Sequence, residues 1–423
     1  MSYFKNINEC RVCFGKKLTE VIQIEEQFLS PTFVDTNENN PLSKIKVPQT
    51  LLLCDVKSGG CGLLQMKETV EPDLMYTEYF YRSSTNKIMI KDLENVVKFA
   101  KSKVNLQVND TVVDIGANDG TTIKFFPEFC NRLGVEPAKN IDWGGLNNIT
   151  IVNDYFNKRA IKPHIEKNKL VKIFTACAMF YDLDNPNQFV SDIKDMLDLD
   201  GVFVIQLSYL PAMLKNMNFY DICNEHLEYY SLNTLNYLMK RHDLEIYDAI
   251  ENNVNGGSVL VSITHGGLKQ KSNNYIKLLE EENNLLLTDP ETYNNFYNKI
   301  MDLKLTVLNY IDNLSKHKRN IIGLGASTKG NMLLQLFGIN KEILPYISEI
   351  NPTKIGKKTL GTDIELISEE KTNKLKPFCK LVLPWYFKEE IIEREKKYID
   401  AGGLLLFPMP YVHLIGRDGE ERL

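Results

Sequence analysis

Between residues 111 and 206, short β-branched apolar runs alternate with stretches whose apolar positions recur at helical spacing. The spacing predicts strands at 111–115, 133–135, 149–152, 171–176 and 201–206, and helices at 158–167 and 187–197. Strands separated by helices of this length imply parallel βαβ units and hence a doubly wound, Rossmann-like α/β sheet. A helix is expected ahead of that sheet over 87–106, where Met89, Ile90, Leu93, Val96, Val97 and Ala100 share a face. A second βαβ pattern opens at 320–324 and runs to a strand ending in Glu349, predicting a C-terminal Rossmann-like domain. The expected organisation is a small cysteine-bearing domain (1–72), the doubly wound domain (73–267), a helical linker rich in Lys, Asn and Glu (268–314) and the C-terminal domain (315–423).

Ligands of doubly wound sheets bind beyond the carboxyl ends of the strands. That rule gathers Asp114 to Gly120, Glu136 with Pro137, Tyr155 with Phe156, Ala178 with Met179, and Tyr209 around one crevice. The turn reads Asp114-x-Gly116-x-Asn118-Asp119-Gly120 and leads into a helix N-terminus. Dinucleotide sites put a glycine where Asn118 stands, so that the backbone can close on a pyrophosphate. S-adenosylmethionine has no pyrophosphate, and its zwitterionic methionine end suits Asn118 and Asp119. Glu136, after the next strand, stands where such folds grip a ribose diol. The plainer alternative is a glycine turn serving strand–helix packing alone. In the second βαβ pattern, Asn331 follows Gly330 where a P-loop needs Lys, and the third glycine is misplaced for NAD. Ser327, Lys329 and the helix start after them are candidates to hold substrate phosphates.

Eight cysteines in 423 residues are too sparse for a disulfide scaffold. Four lie near the start as two close pairs, Cys10 with Cys13 and Cys54 with Cys61, beside Gly15, Gly59, Gly60 and Gly62. Two such knuckles suit a structural Zn²⁺ site, since four thiolates leave no position open for substrate. The alternative is that they are buried as small apolar residues. A net charge of −5 without a basic stripe excludes a nucleic-acid surface, and no apolar run approaches a membrane span. With no apolar signal core at the N-terminus, the expected location is cytoplasmic.

Residues 221–231 pack three acids, a His and two Tyr, shortly after the fifth strand of the doubly wound domain. Imidazole titrates near neutral pH, so His226 can serve as a general base toward a carbon acid, with Glu225 orienting it. Structural capping of a loop is the competing role. An aromatic and hydroxyl cluster at 76–85 is a further candidate to line a pocket, with interdomain packing as the competing role, and Asn255-Gly256-Gly257-Ser258 reads as a glycine turn, with a backbone approach to ligand as the alternative.

Taken in order, Cys10-x2-Cys13, Cys54, Cys61-Gly62-Leu63-Leu64-Gln65, Asp114-Ile115-Gly116-x-Asn118-Asp119-Gly120, Asn224-Glu225-His226-Leu227, Gly256-Gly257-Ser258 and Gly325-Ala326-Ser327-x-Lys329-Gly330 resemble the three-domain sugar C-methyltransferases over nearly the whole chain. The resemblance implies a zinc-binding domain, an S-adenosylmethionine-binding methyltransferase domain, and a C-terminal domain that helps hold a nucleotide-linked keto sugar. It implies that His226 removes the C3 proton of a 4-keto-hexose, with Glu225, Tyr79 and Tyr81 lining the pocket. Tyr209, Asn224, Asn255, Ser327 and Lys329 are the expected substrate contacts, and the expected assembly is a monomer or small homo-oligomer. Three positions depart from the family: Cys223-Asn224 ahead of the Glu-His pair, no His in 179–182, and Asn255 where a His precedes Gly-Gly-Ser. The open alternatives are O- or N-methylation on the same scaffold and a non-catalytic nucleotide-sugar binding protein.

Overall fold

A computed structural model describes residues 3–29, 33–35, 45–77, 79 and 81–423. The expected strands at 111–206 form five consecutive strands, out to one edge, of a seven-stranded sheet. Its order is Leu244–Asn252, Ser258–His265, Leu197–Ser208, Val171–Cys177, Thr111–Ile115, Asn131–Val135, Ile149–Val152. The last five strands in that order run parallel, and Ser258–His265 pairs antiparallel with both of its neighbours. Chain order reverses beside Thr111–Ile115, the first strand laid down, which makes its carboxyl end a switch point of the kind where doubly wound sheets take ligands. All five residues of that strand are buried, as expected for a parallel strand covered on both faces. The helix expected over 87–106 is Lys87–Lys101, capped by the Asn86 side chain on the Ile88 N–H. The helix expected over 158–167 is shorter: Lys158–Ile161 stops ahead of Pro163 and continues as a 3₁₀ turn, Lys162–His164.

The C-terminal sheet has parallel strands Cys379–Val382, Ile321–Leu324, Tyr346–Glu349 and Glu365–Ser368 at its centre. Helices Asn273–Asn283 and Pro290–Lys316 occupy most of the segment expected to link the two sheets. The first of them delivers Glu282, which is buried and accepts hydrogen bonds from the Leu232 and Asn233 N–H groups and the Tyr209 hydroxyl.

Two exchanges of edge strands bind these parts together. Glu228–Tyr229 adds to the N-terminal sheet beside Leu64–Met66, and Phe33–Asp35 adds to the C-terminal sheet beside Lys357–Thr359. The loop that carries His226 therefore enters the N-terminal sheet two residues after the imidazole.

Candidate active site

The N-terminal pairs of cysteines converge. Their four Sγ atoms lie within 4.8 Å of one another, with Cys10–Cys61 and Cys13–Cys54 both at 3.5 Å. Zinc–sulfur bonds of about 2.3 Å in a tetrahedron place sulfurs about 3.8 Å apart, so the cluster fits Zn²⁺ with a small expansion. The knuckles need their glycines: a Cβ on Gly60 would stand 2.5 Å from Cys54 Sγ. Four thiolates close the coordination shell, and the site is structural.

At the switch point, Asp114 is level with Gly134 on one neighbouring strand and Thr175 on the other. Thr175 Oγ1 donates to its Oδ1 at 2.6 Å, while Oδ2 is buried without a partner. Burial pushes this carboxyl up to about 7. Gly116 and Gly120 have φ of 70° and 78°, conformations that favour glycine, and Asn118 joins them at 49°. Glu136 is buried; its Oε2 accepts from the Asn118 N–H and its Oε1 from the Ala138 N–H, which leaves lone pairs on both oxygens. The C-terminal domain repeats the device, with Glu349 Oε2 accepting from the Ala326 N–H after its own glycine turn. An orphaned carboxylate oxygen, a left-handed glycine turn and an acid with free lone pairs fit an adenosyl donor. The Asn118 and Asp119 side chains are otherwise engaged. They accept from the Ser83 and Ser84 N–H groups, and Asn118 Nδ2 donates to the Tyr81 carbonyl, so that residues 81–84 lie across the turn as a strap.

The His226 loop forms a second centre. The imidazole lies 4.2 Å from the Tyr181 ring, centroid to centroid. Burial, aided by the positive charge of Lys329, lowers it to about 3, so the ring is neutral at physiological pH. Glu225 beside it is 9% exposed with Oε1 unpartnered, and burial raises its carboxyl to about 7. Burial likewise raises Asp182, Tyr76 and Tyr79, and the mutual repulsion of Asp182 and Glu225 adds to this. Lys329 comes from the C-terminal domain. Its Nζ donates to the Asn255 carbonyl at 2.9 Å, lies 3.4 Å from Asp221 Oδ1, and sits 4.4 Å and 5.2 Å from the centres of the Tyr220 and Tyr386 rings. A cavity of about 10 Å³, room for one water, adjoins the imidazole between Ser208, Asp221 and Glu228. The more open cleft of about 450 Å³ between Lys194, Lys240 and His265 lies away from both centres and gathers no such set of groups.

The structure thus brings Tyr79, Glu225, His226, Asn255 and Lys329 together, and separately Asp114, Gly116, Asn118, Asp119, Gly120, Glu136, Pro137, Ala178 and Met179. Met179 packs on the turn: a Cβ on Gly116 would lie 3.0 Å from its Cγ. Other expected site residues point elsewhere. Tyr81 stands at the strap, 44% exposed and near Asp119 rather than the imidazole. Phe156 packs against Phe174 and Phe189, and Tyr155 directs its hydroxyl to Asp73. The Tyr209 hydroxyl is committed to Glu282, Asn224 Oδ1 accepts from Gln49 Nε2, and Ser327 caps its helix on the Gly330 N–H. Tyr76, Tyr181, Asp182 and Asp221 were not expected at the site. Tyr76 lay within the aromatic cluster and Asp221 opened the acidic segment, while Tyr181 and Asp182 lie in 179–182, a segment read only for the histidine it lacks.

A seven-stranded doubly wound sheet with this turn and this acid defines the class: an S-adenosylmethionine-dependent methyltransferase. Family models match three consecutive parts of the chain, described as a zinc binding domain (residues 10–76), a methyltransferase domain (85–249) and a C-methyltransferase C-terminal domain (253–410). The chain belongs to the C-methyltransferase family that these three parts make up. It is 25% identical to the C-methyltransferase NovU of Streptomyces niveus over 97% of this chain and 98% of that one. More distant likenesses are to a chain from the complex of the Haloferax volcanii Trm112 methyltransferase activator (12% identity, 43% of this chain, 95% of that chain, TM-score 0.34) and an S-adenosylmethionine-dependent methyltransferase of Clostridium acetobutylicum (12%, 42%, 92%, 0.32). Scores this low carry no argument about function. No helix among the described residues is long and apolar enough to cross a membrane.

Proposed function

We propose that the chain methylates C3 of a nucleotide-linked 4-keto-hexose, with His226 as the base. The observation that carries this reading is the half-buried imidazole packed on the Tyr181 ring, beside Glu225 and within the field of Lys329, where three chain segments meet. His226 takes the proton next to the ketone, and the electron pair of the broken C–H bond moves onto the enolate. Because Lys329 acts on the imidazole electrostatically, we place its ammonium at the developing keto oxygen, where a fixed positive charge lowers the barrier. Glu225 and Tyr79 hold the sugar ring against the imidazole. Glu136 and the turn from Asp114 to Gly120 would hold S-adenosylmethionine, which when bound supplies an electrophilic methyl group. The C-terminal domain would take the nucleotide, and the name of the NovU relative favours carbon as the acceptor atom.

The test is to incubate the protein with methyl-labelled S-adenosylmethionine and a panel of nucleotide-linked 4-keto-hexoses. A C-methylated sugar is expected. Transfer to a hydroxyl or amine of a sugar that lacks a ketone would instead establish O- or N-methylation.

A further inference from the structure

Arg11 lies between the first two cysteines of the zinc cluster, yet its side chain reaches out of the knuckle and is 2% exposed. Nη1 donates to the Met66 carbonyl and Nη2 to Thr69 Oγ1, both at 2.6 Å. Its Nε faces Glu228 Oε1 at 3.8 Å and Asp184 Oδ1 at 3.7 Å. The Glu228 side chain is fully buried, and neither of its oxygens has a hydrogen-bond partner. Burial pushes the Glu228 carboxyl well above the usual carboxylate range, and the facing guanidinium of the knuckle draws it back down.

Glu228 is two residues beyond His226, and the intervening Leu227 is tied at both ends. Its N–H donates to the Tyr181 carbonyl and its carbonyl accepts from the Met66 N–H, each at 2.8 Å. Met66 is the residue whose carbonyl takes Arg11 Nη1, and Tyr181 is the ring that packs on the imidazole. Asn187 fixes the knuckle from the other side by donating to the Arg11 and Val12 carbonyls. One continuous set of bonds therefore runs from the cysteine cluster to the imidazole.

We propose that Arg11 is a positioning residue for His226 that acts through Glu228, so that the zinc knuckle sets the place of the base as well as stapling the N-terminal domain. This rests on the reading of His226 as the base. Without the guanidinium, the Glu228 carboxyl keeps neither a facing cation nor a hydrogen-bond partner, an unsatisfied buried polar group that must turn toward water, and the 225–228 loop moves with it. A displacement of about 1 Å at a catalytic group can cost about 10²-fold in rate.

The experiment compares Arg11→Met, Glu228→Gln and the double variant in the zinc-loaded full-length protein. The readouts are kcat, KM for S-adenosylmethionine, zinc content, and amide hydrogen exchange across 225–230. Arg11→Met is expected to lose amide protection there and to drop kcat on the order of 10–100-fold, with zinc content and KM unchanged. In the double variant, with no carboxyl at 228 for the guanidinium to face, protection and kcat should equal those of Glu228→Gln alone. The proposal is overturned if Arg11→Met keeps both protection and kcat, or if it sheds zinc and the second substitution restores nothing. Should Arg11→Met fail to fold, Glu228→Gln alone decides: a lower kcat with zinc retained supports the link, and a wild-type kcat ends it. His226→Asn keeps the two readings apart. If that variant turns over normally, the base assignment fails whatever the amides do. If it is inactive while Arg11→Met leaves loop and rate untouched, the positioning role alone fails.

Discussion

Glu225→Gln should make this protein more stable at alkaline pH while it removes activity. Burial raises the Glu225 carboxyl from 4.5 to about 7 in the folded state. The unfolded chain releases this proton near 4.5, whereas the folded chain holds it until about 7. Below pH 4.5 both states are protonated and the residue costs nothing electrostatically. Between the two values the unfolded state alone ionises, so stability falls as pH rises, and above 7 the full penalty is present. A shift of about 2.5 units at about 1.4 kcal/mol each gives a penalty of about 3 kcal/mol. Glutamine has similar shape and never ionises. The stability difference between variant and wild type should therefore grow by about 3 kcal/mol from pH 4.5 to pH 8. Several separately packed parts make two-state unfolding a poor assumption, so the assay is the difference in melting temperature between variant and wild type at each pH. At about 2–4 °C per kcal/mol for domains of 150–250 residues, the difference should widen by about 6–12 °C. A difference that stays constant with pH would refute the reasoning, because it would mean that Glu225 does not bear a buried charge. Loss of turnover alongside the gain is the mark of a group kept for function at the expense of stability.

Three further outcomes are expected. His226→Asn should abolish turnover while calorimetry shows unchanged affinity for S-adenosylhomocysteine. In NMR of histidine-labelled protein, the resonance missing from that variant should not titrate above pH 5, since burial holds the imidazole near 3; a midpoint near 6.5 would contradict its burial. Lys329→Met should lower kcat on the order of 10²-fold with a lesser change in KM; the reverse split would move the ammonium from the keto oxygen to the phosphates. Metal analysis should find about one zinc per chain, reduced by Cys10→Ser, as a four-thiolate site requires.

Much of the fold was legible because its signals are local. Thr111–Ile115 and Val171–Cys177 are β-branched and apolar apart from Asp114 and Lys172, close to what doubly buried parallel strands require, and the glycines at 116 and 120 mark backbone that other residues adopt only with strain. The cysteine spacing likewise carries its own chemistry. The candidate site was legible only where a motif is contiguous, as at 224–227. Asp182 was passed over because 179–182 was read for a missing histidine, and an acid after a strand looks like any surface acid until the sheet brings it to Glu225. Arg11 escaped because its partner Glu228 is far along the chain, and only the addition of Glu228–Tyr229 to the N-terminal sheet joins them. Tyr209 and Phe156 were misleading for a related reason: both follow strand ends, but Glu282 takes the Tyr209 hydroxyl and the Phe174–Phe189 cluster takes the Phe156 ring.

The most direct test of the mechanism is solvent deuterium exchange into the nucleotide-linked 4-keto sugar, followed by NMR with S-adenosylhomocysteine in place of the donor. Wild-type protein should exchange the hydrogen on the carbon next to the ketone, and His226→Asn should not. Exchange at the wild-type rate in His226→Asn, or none in a wild-type protein that nevertheless methylates the sugar, would contradict an enolate formed by this imidazole.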